Sequence, residues 1–396
     1  VRVALCLPAY EPAVEYGGPI TKVRGLAQGL TKLGHDVVVW CADYGRDDSR
    51  MPAGHAVVNG VAVRYFERVA SRRFLPIVRG VHREFAMARP DLVHCVGLRD
   101  GLTHAAARAA HAHAVPYIVE PAGMSVPRSR SVALKRVFDG TLGRGHIARA
   151  AVLIATSNLE ASELHGTFPR ARIEVRANPV ELDANPVVPD AVLRSRLGIP
   201  PDAFVVASVA RISTKKAFDV LVESITALPN VHVVIAGPDA GDGGMQSLTT
   251  AITRTRTGDR VHVVGPVWGR ERDALVAACD AFALVSWSEN FGTAAAEAAA
   301  LGIPVIVSNE CGVAEVVTAA NAGLACAVDP ISIRSALTTL QDRAAQLADE
   351  RAARVARVLA LVNLEEIARQ QAEIYRSVMT FRPTPDLGRI PHRPEP

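Results

Sequence analysis

Short apolar runs alternate with amphipathic stretches from one end of the chain to the other. The opening VRVALCL is a continuous apolar run of strand length. The following PITKVRGLAQGLTKLG repeats apolar residues at helical spacing and puts Ile20, Val23, Leu26, Ala27, Leu30 and Leu33 on one face. Pro19 suits a first helical position and Gly34 a helix stop. DVVVWCA, DLVHCV, PYIVE and VLIATS predict further strands, and VVNGVAVRYF predicts a hairpin turned at Asn59-Gly60. Most of these runs are apolar throughout, as strands of a parallel sheet covered on both faces should be.

The alternation breaks at RIEVRANPVELDANPVVPD, where Pro179, Pro186 and Pro189 predict a linker. It restarts with FVVASVA, VHVVIAG, RVHVVG, DAFALVS, IPVIVSN and GLACAVD, each a candidate strand followed by a helical pattern. The expected architecture is α/β: two Rossmann-like, doubly wound domains facing across a cleft, covering residues 1–186 and 187–364. A final helical pattern over about 349–379 ends before FRPTPDLGRIPHRPEP, so 381–396 reads as a flexible Pro-rich tail. Ligands of such sheets bind beyond the carboxyl ends of the strands, so chemistry is expected at the loops that follow them.

Composition narrows the class. At 49% hydrophobic and 21% charged, the 396 residues suit a globular chain with room for two domains. No stretch is long and apolar enough to span a bilayer, and VRVALCL is too short for a signal peptide. Six scattered cysteines form no CxxC pair, so a reducing, cytoplasmic setting is expected rather than a disulfide framework. No His/Cys pairing has zinc spacing, and no metal or resident cofactor is expected. Aromatics at 5% argue against a nucleic-acid surface despite the net charge of +4.

SWSENFGTAAAEAAALGIPVIVSN, from Ser286 to Asn309, sets two carboxylates among small and apolar residues. DAFALVS reads as a strand, WSENFG as a loop and TAAAEAAALG as a helix, which brings Gly292 and Thr293 to a helix N-terminus at a strand's carboxyl end. Free amides and the helix dipole there favour an anion such as phosphate, and Gly292 lets backbone approach it. Glu289 before the helix and Glu297 one turn inside could each accept from sugar hydroxyls. The competing reading has Glu297 only complementing the helix dipole; from the helix alone the two weigh equally.

Two further loops carry candidate chemistry. In SVARISTKKAFDVLVESI a strand ends near Arg211, and Lys216 opens a helix with Phe218, Leu221, Val222 and Ile225 on its apolar face. Arg211 and Lys216 could neutralise a diphosphate, with Lys215 a solvated neighbour; alone, the segment is equally an ordinary basic loop. In PAYEPAVEYGGPITKV, Gly17-Gly18-Pro19 opens a helix after the first strand, which suits phosphate but is weak evidence and is not the GxGxxG fingerprint.

Together these segments resemble the retaining glycosyltransferase family 4 of GT-B fold. Glu289–x7–Glu297 with Phe291-Gly292 between, followed by EAAALGIPVIVSNECGVAEVV, carries the resemblance furthest. RISTKKAFDVL, YGGPITKVRGLAQGLTKLGHDVVVW, ANPVELD and QQAEIYRSVM extend it over about 1–380, most weakly between 45 and 85. The resemblance implies metal-independent transfer of a sugar from a UDP- or GDP-sugar to an acceptor hydroxyl with retention of anomeric configuration. It implies that Arg211 and Lys216 hold the diphosphate, that Gly292 and Thr293 cap it, that Glu297 takes the ribose and that Glu289 addresses the sugar. Asn290 and Phe291 fall in the same donor-binding loop, Gly17 and Gly18 would close from the other domain, and the base would lie near VVGPVWG. The last helix, about 365–380, would pack back on the first domain. The sequence departs from the family at Ala217, where glycine is usual, and at Ala122, the position of a common histidine; Glu120 is a candidate substitute.

An active transferase is therefore the first reading, with a role in glycan, cell-envelope or glycolipid biosynthesis. A non-catalytic nucleotide-sugar-binding subunit of a glycosylation complex is the alternative, motivated by Ala122. The acceptor could be a small molecule, a glycan or a lipid-linked group. Arg72, Arg73 and the Arg128–Arg136 stretch are candidates for peripheral contact with the inner face of a membrane. Donor identity and oligomeric state leave no signature in the sequence.

Overall fold

The computed structural model describes residues 1–13, 16–72, 75–124, 143–181 and 185–380. The first half supplies β1 (Arg2–Cys6), β2 (Asp36–Ala42), β3 (Gly54–Val58), β4 (Val61–Phe66), β5 (Arg68–Arg72), β6 (Leu75–Val78), β7 (Leu92–Val96), β8 (Tyr117–Glu120), β9 (Val152–Ala155) and β10 (Ile173–Val175). Its helices are α1 (Gly18–Lys32), α2 (Val81–Ala88), α3 (Gly101–Ala112), α4 (Arg144–Ala148) and α5 (Asn158–Thr167). Eight strands form one sheet in the order β10-β9-β8-β7-β1-β2-β4-β3, parallel except for β3 against β4. The β3–β4 hairpin turns at Asn59 (φ 50°) and Gly60 (φ 77°), the left-handed pair that the two-residue turn requires.

The second half supplies β11 (Phe204–Val209), β12 (Val231–Ala236), β13 (Val261–Gly265), β14 (Ala281–Leu284), β15 (Val305–Ser308) and β16 (Gly323–Cys326). These form an all-parallel sheet in the order β13-β12-β11-β14-β15-β16. That is the doubly wound order, with its switch point between β11 and β14. The covering helices are α6 (Leu193–Leu197), α7 (Phe218–Ser224), α8 (Gly244–Thr255), α9 (Gly269–Ala277), α10 (Thr293–Ala300), α11 (Ala314–Ala319), α12 (Pro330–Asp342), α13 (Ala344–Asp349) and α14 (Arg351–Val362). Each sheet has an apolar core on both faces, which is why its strands read as unbroken apolar runs. The fold is the expected pair of Rossmann-like domains.

Several details differ from the sequence reading. Leu33 is 44% exposed, because it follows the last turn of α1 and points away from the buried face of Ile20, Val23, Leu26, Ala27 and Leu30. The β5–β6 hairpin falls in the stretch where no periodicity stood out. β10 lies inside the predicted linker, yet pairs with β9 and closes the edge of the first sheet. The single helix expected over about 349–379 is two helices. Asn363 leaves helical geometry (ψ 149°) and its side chain accepts from the Glu366 amide at 2.8 Å, so it ends α14 and caps α15 (Leu364–Thr380). α15 then packs on α1, where Ala368 sits against Gly29 and Leu364 against Gly25, and Tyr375 and Val378 join the first core. The tail 381–396, Arg73 and the Arg128–Arg136 stretch lie outside the described residues, and nothing is described of the Arg72 side chain. Among the described residues no helix is long and apolar enough to cross a membrane.

Candidate active site

The loops after β11 and β14 flank the switch point of the second sheet, where the two strand directions of winding part and leave a crevice. The β11 loop carries Arg211, Lys215 and Lys216, and the β14 loop carries Glu289 through Gly292. Lys216 does not open the helix, as the sequence suggested. It ends a 3-10 turn (Thr214–Lys216), and α7 begins only at Phe218. Between them Ala217 adopts a left-handed conformation (φ 47°, ψ 38°) that costs a residue with a Cβ about 1 kcal/mol. The turn aims the Lys216 ammonium at Glu289, and the two form a hydrogen-bonded ion pair.

Lys215 is not merely a solvated neighbour: its ammonium lies 3.7 Å from the same Glu289 oxygen, Oε2. Burial alone would raise the Glu289 carboxyl, but Lys216, Lys215 and Arg211 together hold it below the usual carboxylate range. Arg211 itself is exposed at the mouth of the site. The β14 loop is pinned from behind, since the Glu289 amide donates to Glu310 (3.0 Å) and the Gly312 amide donates to the Glu289 carbonyl (3.2 Å). Three cations and one carboxylate thus converge, leaving an excess of positive charge.

Gly292 (φ 95°, ψ 51°) turns this loop into α10, and no side chain caps the helix's first turn. A Cβ at Gly292 would stand 3.0 Å from Leu284 and Val313, so the turn has no room for one as well as no tolerance of its φ. The start of α10, with Thr293 half-buried, adjoins the cation cluster, since a Cβ at Gly292 would stand 3.6 Å from Glu289 Cγ. Phe291 differs from its sequence assignment: its side chain is core, 2% exposed, so only its backbone can meet a ligand. Glu297 lies a turn further along α10, and its Oε2 accepts from Arg272 of α9 at 2.7 Å. Each acidic side chain of the motif is therefore held by its own cation.

The opposing wall comes from the first sheet. Gly17 (φ 81°) precedes α1, and among the described residues nothing lies within 4 Å of a Cβ built at Gly17 or Gly18. Arg24, on the same helix, pairs with Glu11 at 2.8 Å and is near enough to Glu297 to pull its pKa down. Asn290 reaches across instead of inward: its side-chain amide donates to the Thr156 hydroxyl after β9 at 3.0 Å. Close by, Glu315 accepts from the Asn158 side chain (2.8 Å) and the Leu159 amide (3.2 Å), at the start of α5. Sequence reasoning found neither Arg272 nor this contact; Arg272 sits in the polar run GRERD, where one arginine looks like another.

The turn after β8 bears on the missing histidine. Ala122 and Gly123 are both left-handed (φ 53° and 77°), and Ala122 offers no functional group there. Glu120 does not replace it. Its carboxylate is fully buried, paired with Lys22 and Arg176, with His94 Nε2 3.5 Å away. That set of partners anchors β8 to α1 and β10, and leaves Glu120 no open face toward the cleft.

Residues 17–179 match the glycosyl transferase 4-like domain, and residues 190–348 match glycosyl transferases group 1. Among curated proteins, the chain is 34% identical over 187 residues to a D-inositol 3-phosphate glycosyltransferase of Mycobacterium sp. (strain JLS), covering 46% of this chain and 40% of the relative. The match thus spans well under half the length of that relative. Among solved structures, sucrose-phosphate synthase from Thermosynechococcus elongatus superposes with a TM-score of 0.74 at 20% identity, over 95% of this chain and 98% of the other. Anabaena HepE in complex with UDP and glucose gives 0.72 at 18% identity, over 95% and 99%. At these identities the two structures speak to the fold alone.

Proposed function

The chain belongs to the family 4 glycosyltransferases of GT-B fold, and on that premise we propose that it transfers a sugar from a UDP- or GDP-sugar to an acceptor hydroxyl, with retention and without a metal. The observation that carries this reading is the convergence of Lys216, Lys215 and Arg211 with Glu289 at the switch point, beside the uncapped start of α10. Fixed positive charge and free amides are what a departing diphosphate needs.

In this reading Lys216 and Arg211 hold the diphosphate and the amides of Gly292 and Thr293 cap it. Gly17 and Gly18 approach from the facing domain, Glu297 receives the ribose, and Glu289, oriented by Lys216, receives hydroxyls of the transferred sugar. Asn290 contributes by holding the domains together, and Phe291 by its backbone. The bond from the anomeric carbon to the β-phosphate oxygen breaks, and the diphosphate leaves with the electron pair. The acceptor oxygen bonds to the same face of the sugar, and its proton passes to a phosphate oxygen. The division at 186/187, the cytoplasmic setting and peripheral membrane contact belong to this proposal. So does a place in glycan, cell-envelope or glycolipid synthesis.

Incubating the protein with a panel of UDP- and GDP-sugars and candidate acceptors, in the presence of EDTA, tests the reading. Release of nucleoside diphosphate with formation of a product whose anomeric proton coupling matches that of the donor supports it. The turn at Ala122 favours one other reading, a nucleotide-sugar-binding subunit without turnover. Tight donor binding without hydrolysis or transfer in the same panel would support that reading.

A further inference from the structure

The loop after β12 lies against the turn that carries Lys216. The Ile212 amide donates to the Pro238 carbonyl at 2.8 Å, and the Ala240 amide donates back to the Ile212 carbonyl at 2.9 Å. Backbone touches backbone at the next residue: a Cβ at Gly244 would stand 2.4 Å from Ser213 Cα, so only glycine fits there. Thr214 follows and opens the 3-10 turn that ends at Lys216. Its amide is one that a helical turn cannot satisfy from within. Asp242, half-buried in the β12 loop, accepts from that amide on Oδ1 at 3.2 Å and from the Thr214 hydroxyl on Oδ2 at 3.4 Å. The same Oδ1 accepts from the Gly244 amide at 3.2 Å, at the start of α8. One carboxylate thus ties the turn to the helix behind it.

We propose that Asp242 is a positioning residue for the diphosphate: by holding Thr214 it fixes the turn that aims Lys216. The inference rests on the reading of Lys216 as a diphosphate-binding cation and deepens it. The turn has a reason to relax, because Ala217, directly after Lys216, is held in a left-handed conformation that a Cβ disfavours. The Lys216 amide closes the turn on the Ser213 carbonyl at 2.9 Å, so a shift at Thr214 is carried to Lys216. The sign of the effect separates position from charge. A carboxylate acting through its charge opposes a diphosphate, and its loss would tighten binding. One acting through its hydrogen bonds to Thr214 helps, and its loss would loosen binding. An amide oxygen in its place keeps the bonds to both backbone amides without the charge.

The test is calorimetric titration of UDP, UMP, GDP and GMP into the wild type, Asp242→Ala and Asp242→Asn, each also in the Lys216→Ala background. With the base that the wild type prefers, Asp242→Ala should lose about tenfold in affinity for the diphosphate. It should bind the monophosphate as the wild type does. Asp242→Asn should stay close to the wild type with both nucleotides. In the Lys216→Ala background Asp242→Ala should cost nothing further, because residues that act as a unit are not additive. Unchanged or tighter diphosphate binding by Asp242→Ala, an equal loss with both nucleotides, or a loss that persists in full without Lys216 would overturn the inference. So would an Asp242→Asn variant as impaired as Asp242→Ala. Asp242→Ser, whose oxygen ends one bond short of the carboxylate's, replaces Asp242→Ala where that variant fails to fold. A wild type that does not favour the diphosphate over the monophosphate would overturn the proposed diphosphate site and this inference with it, whereas a wild-type preference with Asp242 silent overturns the inference alone.

Discussion

Asn290 donates its side-chain amide to the Thr156 hydroxyl at 3.0 Å, joining the residue after Glu289 to the end of a strand in the facing domain. The contact does not end there. Thr156 donates its hydroxyl and its amide to Glu160 Oε2 (2.9 and 2.8 Å), and Glu160 Oε1 accepts from the Gly123 amide at 2.7 Å. The loop that bears Glu289 is thus tied through Thr156 and Glu160 to the turn at Ala122-Gly123, on the opposite side of the cleft.

This relay should set how far the domains open. Asn290→Ala removes one hydrogen bond, worth about 1 kcal/mol of closure. Gly123→Ala acts more strongly, because a Cβ at φ 77° would stand 2.9 Å from Asn290 Cβ. Both variants should show a larger radius of gyration by small-angle X-ray scattering than the wild type, Gly123→Ala the more so. Unchanged scattering in both would show that the relay does not control the opening.

The buried charges around Glu120 should matter to stability rather than to turnover. Lys22→Met leaves Glu120 with Arg176 as its remaining close cation, and breaking such a buried pair costs about 3–5 kcal/mol. Burial alone would raise Glu120, but Arg176 and Lys22 push it far below the carboxylate range. A depressed carboxylate stabilises the fold above its unfolded pKa, and that stability disappears as pH falls toward the folded value. Urea unfolding should therefore give Lys22→Met a lower midpoint at neutral pH, with the gap from wild type narrowing in acid.

His146 predicts a second acid sensitivity, at milder pH. It is 5% exposed, stacked on Tyr117, and burial first and then His104 push its pKa down to about 4. The unfolded chain binds this proton near the ordinary histidine value and the folded chain does not. Stability should therefore fall as pH drops from about 6.5 to 4, by up to roughly 3 kcal/mol. The melting temperature should decline over that window, and His146→Gln should flatten the decline.

The parts of this architecture that repeat along the chain were legible in the sequence, because a parallel strand buried on both faces must be apolar throughout. Eleven separate apolar runs and one Asn-Gly turn became strands and a hairpin for that reason. The motif residues Arg211, Lys216, Glu289, Gly292 and Thr293 were also visible, since loops after strands gather at one edge of the sheet. What stayed hidden depends on partners distant in sequence. Nothing in the helical spacing around Lys22 points to a partner, and only the fold sets it against Glu120, 98 residues away. Arg272 and Glu297 are 25 residues apart on different helices, so neither sequence spacing nor periodicity links them. Asn363 did carry a signal, an asparagine three residues before a glutamate, but the apolar periodicity running through it masked the cap.

In the proposed function the Lys216 turn is a diphosphate site. Removing Lys216 should therefore cost activity as other charge-stabilising groups do, by about 10²–10³ in kcat, but turnover also depends on an acceptor. Affinity does not. Titrating UDP against UMP, and GDP against GMP, into the wild type and Lys216→Ala isolates what the second phosphate contributes. The wild type should prefer the preferred base's diphosphate strongly over its monophosphate, and Lys216→Ala should lose most of that preference while binding the monophosphate as before. A wild type indifferent to the second phosphate, or a Lys216→Ala variant that keeps the full preference, would contradict it.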